Sequence, residues 1–186
     1  MSETILVTGA SAGFGQAICR RLVADGYRVI GSARRIEKLQ ALQKELGEAF
    51  YPLQMDVTDL SQVDHALASL PKAWEKVDVL VNNAGLALGL APAYEAEVAD
   101  WLTMIQTNIV GLTYLTRKIL PQMVERNDGY IINLGSTAGT VPYPGANVYG
   151  ASKAFVKQFS LNLRADLAGK KIRVSNIEPG LCEGTE

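Results

Sequence analysis

The sequence predicts an α/β domain built on a doubly wound parallel sheet, with helices on both faces. Three observations predict it. Short runs rich in β-branched residues alternate with longer segments of helical periodicity along the whole chain. Most of these runs are continuously apolar, as strands covered on both faces must be. The motifs with chemical character follow the runs, and such sheets bind ligands at the carboxyl ends of their strands. Strict alternation gives βαβ units with right-handed crossovers. The expected strand order is 3-2-1-4-5-6 in one domain over residues 1–186.

The elements follow in order. "TILVTG" (4–9) reads as the first strand, and the first helix runs from Phe14 to Asp25, with Phe14, Ala17, Ile18 and Leu22 at helical spacing before Gly26. "YRVIGSA" (27–33) is the second strand, and Ile36 to Leu46 the second helix, stopped by Gly47. "AFYPLQMDV" (49–57) leads to a third helix, Asp59 to Leu70, before Pro71. "VDVLVNN" (77–83) precedes a long helix from Asp100 to Met123, with Leu102, Ile105, Ile109, Leu112 and Ile119 on one side. "GYIINLGS" (129–136), a last helix from Val148 to Ala168, and "IRVSNIEPG" (172–180) complete the set.

Composition bounds the function. The chain has 186 residues, 48% hydrophobic and 20% charged, which describes one globular domain with a real core. A net charge of -1 offers no basic excess for nucleic acid, and no apolar run is long enough to span a membrane. "MSETILVTG" carries no positively charged leader of a secretory signal. Cys19 and Cys182 lack metal-ligand or CxxC spacing, and two unpaired thiols fit a reducing cytoplasm. His65 is the sole histidine and reads as an exposed helix residue; Trp74 and Trp101 read as packing or surface residues.

"TGASAGFG" follows the first strand and opens the first helix. Gly9, Gly13 and Gly15 form G-x-x-x-G-x-G, which differs from G-x-G-x-x-G but meets the same needs. Those needs are a tight turn, close approach of backbone to a pyrophosphate, and free N–H groups at a helix N-terminus. After the second strand stands "GSARR", with Arg34 and Arg35 where an NAD binder carries an acid for the ribose hydroxyl. Two arginines before a helix oppose its dipole, and a bound 2′-phosphate would relieve that cost, which favours NADP. Asp56 ends the third strand and also reads as a turn or capping residue. Asn82, Asn83, Ala84 and Gly85 end the fourth and also read as a turn.

"YGASK" places Tyr149 four residues before Lys153, on one face of a helix that starts near Val148. A cation beside a phenol favours the phenolate, one way to make tyrosine a proton donor and acceptor near neutral pH. The same pattern also describes an ordinary exposed pair.

Together these residues resemble the short-chain dehydrogenases/reductases. The resemblance rests on "TGASAGFG", "DV", "NNAG", Asn108 in the long helix, Ser136 at the end of the fifth strand, Tyr149, Lys153 and "PG" at 179–180. Ser136 lies 13 residues before Tyr149, and the match runs over essentially the whole chain. Within the family, "NNAGLALG", "GSTAG", "GANVYGASKAFVKQFSLNLRADL" and the ending "IEPGL…GTE" are similar to the bacterial NADP-dependent 3-hydroxy acid dehydrogenases.

The resemblance implies roles. Ser136 would hydrogen-bond the substrate oxygen, Tyr149 would carry the proton, and Lys153 would support the phenolate and grip the nicotinamide ribose. Asn108 would anchor a water leading from Lys153 to solvent; read without the family, it is a polar residue at a kink near Gly111. Gly9, Ala10, Ser11, Ala12, Gly13, Phe14, Gly15, Arg34, Arg35, Asp56, Val57, Asn83, Ala84, Gly85, Pro179 and Gly180 would bind NADP together with Tyr149 and Lys153. A small hydroxy acid or carbonyl compound would be the substrate, and a homotetramer the assembly. Family members continue with a substrate-covering loop, a helix and a seventh strand, whereas this sequence ends at Glu186 inside that loop. Other readings are a sepiapterin- or ketoacyl-type reductase, or a non-catalytic NADP-binding regulator. Regulators of that kind lose the tyrosine or the lysine, and both stand here.

Overall fold

A computed structural model describes residues 2–89 and 91–180. Cys182 and the end of the "IEPGL…GTE" segment lie outside the described residues. Six parallel strands form one sheet in the order β3-β2-β1-β4-β5-β6, as expected. They are β1 (Thr4–Thr8), β2 (Arg28–Ala33), β3 (Phe50–Gln54), β4 (Val79–Asn82), β5 (Gly129–Leu134) and β6 (Ile172–Ile177). Six helices connect them: α1 (Gly13–Ala24), α2 (Ile36–Leu46), α3 (Leu60–Ala68), α4 (Val98–Ile105), α5 (Leu112–Arg126) and α6 (Asn147–Asp166).

β1 to β5 each divide their side chains between two cores, and β6 gives Ile172 and Val174 to one of them. In β1, Leu6 packs with Leu115, Ile119 and Leu163 from α5 and α6. Its neighbours Ile5 and Val7 turn the other way, to Cys19, Leu39 and Leu42 from α1 and α2. Burying one such aliphatic side chain contributes roughly 1.5–3 kcal/mol, so pleat alternation fixes both the register and the side on which each helix lies.

Strand ends are shorter than the apolar runs suggest, because the polar tails turn away. Asp56 leaves the ladder: its Oδ1 accepts from the Thr58 amide and hydroxyl at 2.9 and 2.7 Å. Asp59 then caps α3, with Oδ1 accepting from the Gln62 amide at 3.0 Å, a bond that holds its carboxyl below the usual range. The long helix expected over 100–123 is three pieces. A wide π-helical turn, Gln106–Gly111, separates α4 from α5. Two contacts account for it. Gly111 lies on the Val57 backbone, where an added Cβ would meet the carbonyl oxygen at 2.7 Å. Asn108 is turned inward and buried. The helix runs on past Met123 to Arg126, and Asn127 ends it in the left-handed conformation at φ 51°.

Candidate active site

A cleft opens at the carboxyl ends of β1, β4 and β5, next to the point where the strand order reverses between β1 and β4. It has two cavities, of about 320 and about 670 Å³, which share Phe14, Asn83, Gly85 and Leu86.

The smaller cavity is shaped by the glycine turn. Gly9 and Gly13 take positive φ of 69° and 51°, which other residues enter at a cost. Gly15 lies so close to the turn that a Cβ would sit 2.2 Å from the Gly9 carbonyl oxygen. The backbone therefore folds tightly enough for a pyrophosphate to approach it. Ala12, just before α1, makes no side-chain cap bond, and the first turn holds no acid. Its amide groups are thus suited to an anion. Gly9, Ser11, Ala12, Gly13 and Phe14 line this cavity, facing Arg34, Arg35, Asp56, Val57, Asn83, Ala84 and Gly85. Ala10 and Gly15 do not line it. Ala10 is fully buried and donates its amide to the Ser32 carbonyl at 3.0 Å, so both residues form the turn from behind. Arg35 donates to the Ser11 hydroxyl at 3.3 Å, tying the β2 exit to the glycine turn. A cradle of this shape, with arginines at its rim, fits a dinucleotide bearing an extra phosphate.

The two asparagines after β4 part company. Asn83 Nδ2 donates to the Thr8 carbonyl at 2.8 Å, and the amides of Asn83 and Ala84 donate to Thr8 Oγ1 at 3.0 and 2.9 Å. Asn82 instead enters the core, donating to Thr116 Oγ1 and Asn133 Oδ1 at 3.0 and 2.9 Å. Thr8 therefore staples "NNAG" to the glycine turn, and the sequence signals it only as one hydroxyl ending an apolar strand.

The larger cavity gathers Ser136, Tyr149, Lys153, Pro179 and Gly180, together with Thr137, Val141 and Tyr143. Tyr149 and Lys153 face the cleft from the first turns of α6. Lys153 is only 7% exposed, and its Nζ donates to the Leu134 carbonyl at 2.8 Å. Burial pushes its pKa down to about 8. The Nζ lies 5.8 Å from the centroid of the Tyr149 ring. An exposed helix pair would show neither the burial nor the shift. Ser136 Oγ accepts the Ala138 amide at 3.2 Å, which leaves its own proton free to be donated. The amides of Gly135 and Thr137 donate to Ile177 and Pro179 at 2.7 and 3.0 Å, bringing the β6 exit beside Ser136.

Asn108 sits behind the cleft wall and does not line either cavity. Its Oδ1 accepts the Leu86 amide, and its Nδ2 donates to the Leu86 carbonyl and to Ser152 Oγ, all at 3.0 Å. Ser152 in turn donates to the Tyr149 carbonyl at 2.7 Å. Sequence reading passed over Ser152, which is buried and links Asn108 to the first turns of α6.

The arrangement can bind a phosphorylated dinucleotide and place a proton-carrying phenol, a buried ammonium and a hydroxyl donor around one small oxygen function. Elsewhere the plain readings hold: His65 is exposed on α3, and Trp74 packs under Arg28 at 4.1 Å and beside Tyr51. Among the described residues no cluster of His, Cys, Asp and Glu could hold a metal, and no helix is long and apolar enough to cross a membrane.

Comparison with known proteins agrees with this geometry. The family model described as short chain dehydrogenase matches residues 3–186. The NADP-dependent 3-hydroxy acid dehydrogenase YdfG of Salmonella typhi is 62% identical over 182 residues, covering 98% of this chain and 73% of that protein. Serine 3-dehydrogenase of Agrobacterium fabrum is 54% identical over 183 residues, covering 98% and 73%. The closed form of a serine dehydrogenase complexed with NADP+ superposes with a TM-score of 0.95 at 60% identity, covering 96% of this chain and 72% of that one. The chain belongs to the short-chain dehydrogenase family.

Proposed function

We propose that this chain is an NADP-dependent oxidoreductase acting on CH–OH groups, and that its substrates are small 3-hydroxy acids or the matching 3-oxo acids. Serine, allo-threonine, 3-hydroxyisobutyrate and malonic semialdehyde represent the class. The observation that carries the reading is the buried Lys153 ammonium beside Tyr149, in one cavity with Ser136. The substrate class is supported by the names of relatives 62% and 54% identical over nearly the whole chain.

The nicotinamide supplies hydride transfer when bound. The chain supplies position and proton transfer. Ser136 donates to the substrate oxygen. Tyr149 takes the hydroxyl proton on oxidation and returns it on reduction. Lys153 stabilises negative charge on the phenolic oxygen and, with Tyr149, would hold the nicotinamide ribose. Pro179 and Gly180, which line the larger cavity, would hold the nicotinamide end of the cofactor. Asn108 spends its side chain on Leu86 and Ser152.

Cofactor choice has its own test. Arg34 is exposed at the rim of the smaller cavity. Arg34→Ala should weaken NADPH binding by roughly tenfold to over a hundredfold, the worth of one charge-assisted hydrogen bond, and leave NADH nearly unchanged. Calorimetric titration with both nucleotides decides it, and equal losses for the two would remove the 2′-phosphate assignment.

We also propose a homo-oligomer of closed symmetry, a tetramer in the resembling enzymes, in the cytoplasm. Val98 and Leu102 on α4 and Phe155 and Leu161 on α6 leave apolar surface exposed, at 60, 61, 38 and 46%. Sedimentation should show an assembly that Leu102→Glu weakens. A wild-type monomer at micromolar concentration would count against it.

A further inference from the structure

One wall of the cleft is the segment between β4 and α4, where Leu86 lines both cavities and Ala87 the larger. Among the described residues, three side chains hold this segment by hydrogen bonds. Asn108 takes both backbone groups of Leu86. Met104 Sδ accepts the Leu88 amide at 3.4 Å. Asn147 Nδ2 donates to the Ala91 carbonyl at 3.1 Å. The first two holders belong to the helix that follows the segment. The third begins α6, two residues before Tyr149.

Asn147 does more than hold Ala91. Its Oδ1 accepts the Trp101 indole N–H at 2.9 Å and the Val148 amide at 2.7 Å. One carboxamide thus joins the cleft wall, α4 and the start of α6. The chemistry suits asparagine, which donates and accepts at once; aspartate could only accept, and alanine could do neither. Trp101 is half-buried and supplies a rigid donor from the neighbouring helix. Neither residue lines either of the two cavities. They lie between the wall that a substrate would touch and the turn that presents Tyr149.

We propose that Asn147, with Trp101, is a positioning residue: through Ala91 it bolts the wall that carries Leu86 and Leu88 to the first turn of α6 and so sets the width of the cleft beside Tyr149. The effect reaches chemistry through geometry, since a displacement of about 1 Å at a reacting centre costs up to about 10²-fold in rate. The proposal rests on the dehydrogenase reading for its kinetic consequence but not for its structural one.

The experiment has a structural and a kinetic arm, on wild type, Asn147→Asp, Asn147→Ala and Trp101→Phe. Asn147→Asp keeps both acceptor bonds but replaces the donor to Ala91 with a carboxylate oxygen that faces the carbonyl. Amide hydrogen exchange over 84–97 should speed up by about five- to tenfold in Asn147→Asp, the loss of one neutral hydrogen bond, while the β1 and β5 amides keep their rates. In NADP+ reduction with a 3-hydroxy acid, kcat/KM should fall about tenfold or more in Asn147→Asp and Asn147→Ala. NADPH affinity should stay in place in both, and so should the midpoint of the pH–rate profile in the uncharged Asn147→Ala, because Lys153 and the glycine turn are untouched. Trp101→Phe should cost less alone, and nothing further in the Asn147→Ala background. Unchanged exchange in Asn147→Asp overturns the proposal, whatever the substrate. So does a fall in melting temperature with kcat/KM unaltered. Should Asn147→Ala fail to fold, Asn147→Asp decides alone. A wild type without turnover on any 3-hydroxy acid sinks the substrate reading and leaves the exchange arm to decide this one.

Discussion

Tyr149→Phe is expected to lose turnover by at least about 10²–10⁴-fold, the usual contribution of a positioned acid–base group. NADPH affinity should change little, and the fold should survive. The substitution deletes one hydroxyl and almost no volume. Tyr149 makes no side-chain hydrogen bond to another described residue that would be left unpaired; its backbone carbonyl, which serves Ser152, is unaffected. The loss should fall on kcat, because the proton moves in the transition state and not on binding. Steady-state kinetics beside nucleotide titration separate the two effects. A variant with near wild-type kcat would leave Tyr149 and Lys153 as no more than neighbours on a helix.

Lys153→Met should also cost about 10²–10³-fold in kcat at neutral pH, the typical price of removing one preorganised electrostatic partner. The same variant makes a stability prediction of opposite sense. Burial lowers the Lys153 pKa from 10.5 to about 8, so the fold disfavours its charged form. Below pH 8 the folded and unfolded states both hold the proton, and the fold bears the whole desolvation penalty. As pH rises from about 8 toward 10.5, the folded state gives up its proton first and the penalty fades. Wild-type stability should therefore gain about 3 kcal/mol on Lys153→Met over that window, the 2.5-unit difference converted at about 1.4 kcal/mol per unit. At pH 7 the variant sheds this penalty but leaves the Leu134 carbonyl unpaired, at a cost of about 1–3 kcal/mol, so the two should nearly cancel. Urea denaturation of both proteins at pH 7 and pH 10 reads the difference. A gap that does not move with pH would mean that Lys153 titrates as an exposed lysine does.

The sheet was legible because each strand is a short apolar run whose neighbours along the chain are periodic. Leu6 facing one core while Ile5 and Val7 face the other is a direct consequence of that pattern. The strand ends were less so: 49–57 reads as one run, but Asp56 prefers Thr58 to the ladder and β3 stops at Gln54. The long helix was legible as a length and a face. Its π-helical turn was not, because the turn depends on Gly111 meeting Val57 and Asn108 meeting Leu86, contacts made by distant parts of the chain. The same reason separates the site residues that sequence finds from those it misses. Tyr149 and Lys153 are four apart on one helix, and local geometry relates them. Thr8, Ser152 and Asn147 act through partners 75, 44 and 56 residues away, and a lone hydroxyl or amide gives no local sign of that. Asn82 and Asn83 look alike in sequence, yet pleat alternation sends one into the core and the other to the glycine turn.

The account is tested most directly by initial rates of nucleotide reduction by the wild-type protein, with NADP+ and NAD+ in parallel. The substrates are serine, allo-threonine and 3-hydroxyisobutyrate. The account predicts NADPH formation with at least one of the three, and far slower NADH formation with the same compound. A protein that binds NADPH but reduces NADP+ with none of them, or that uses NAD+ equally well, would contradict it.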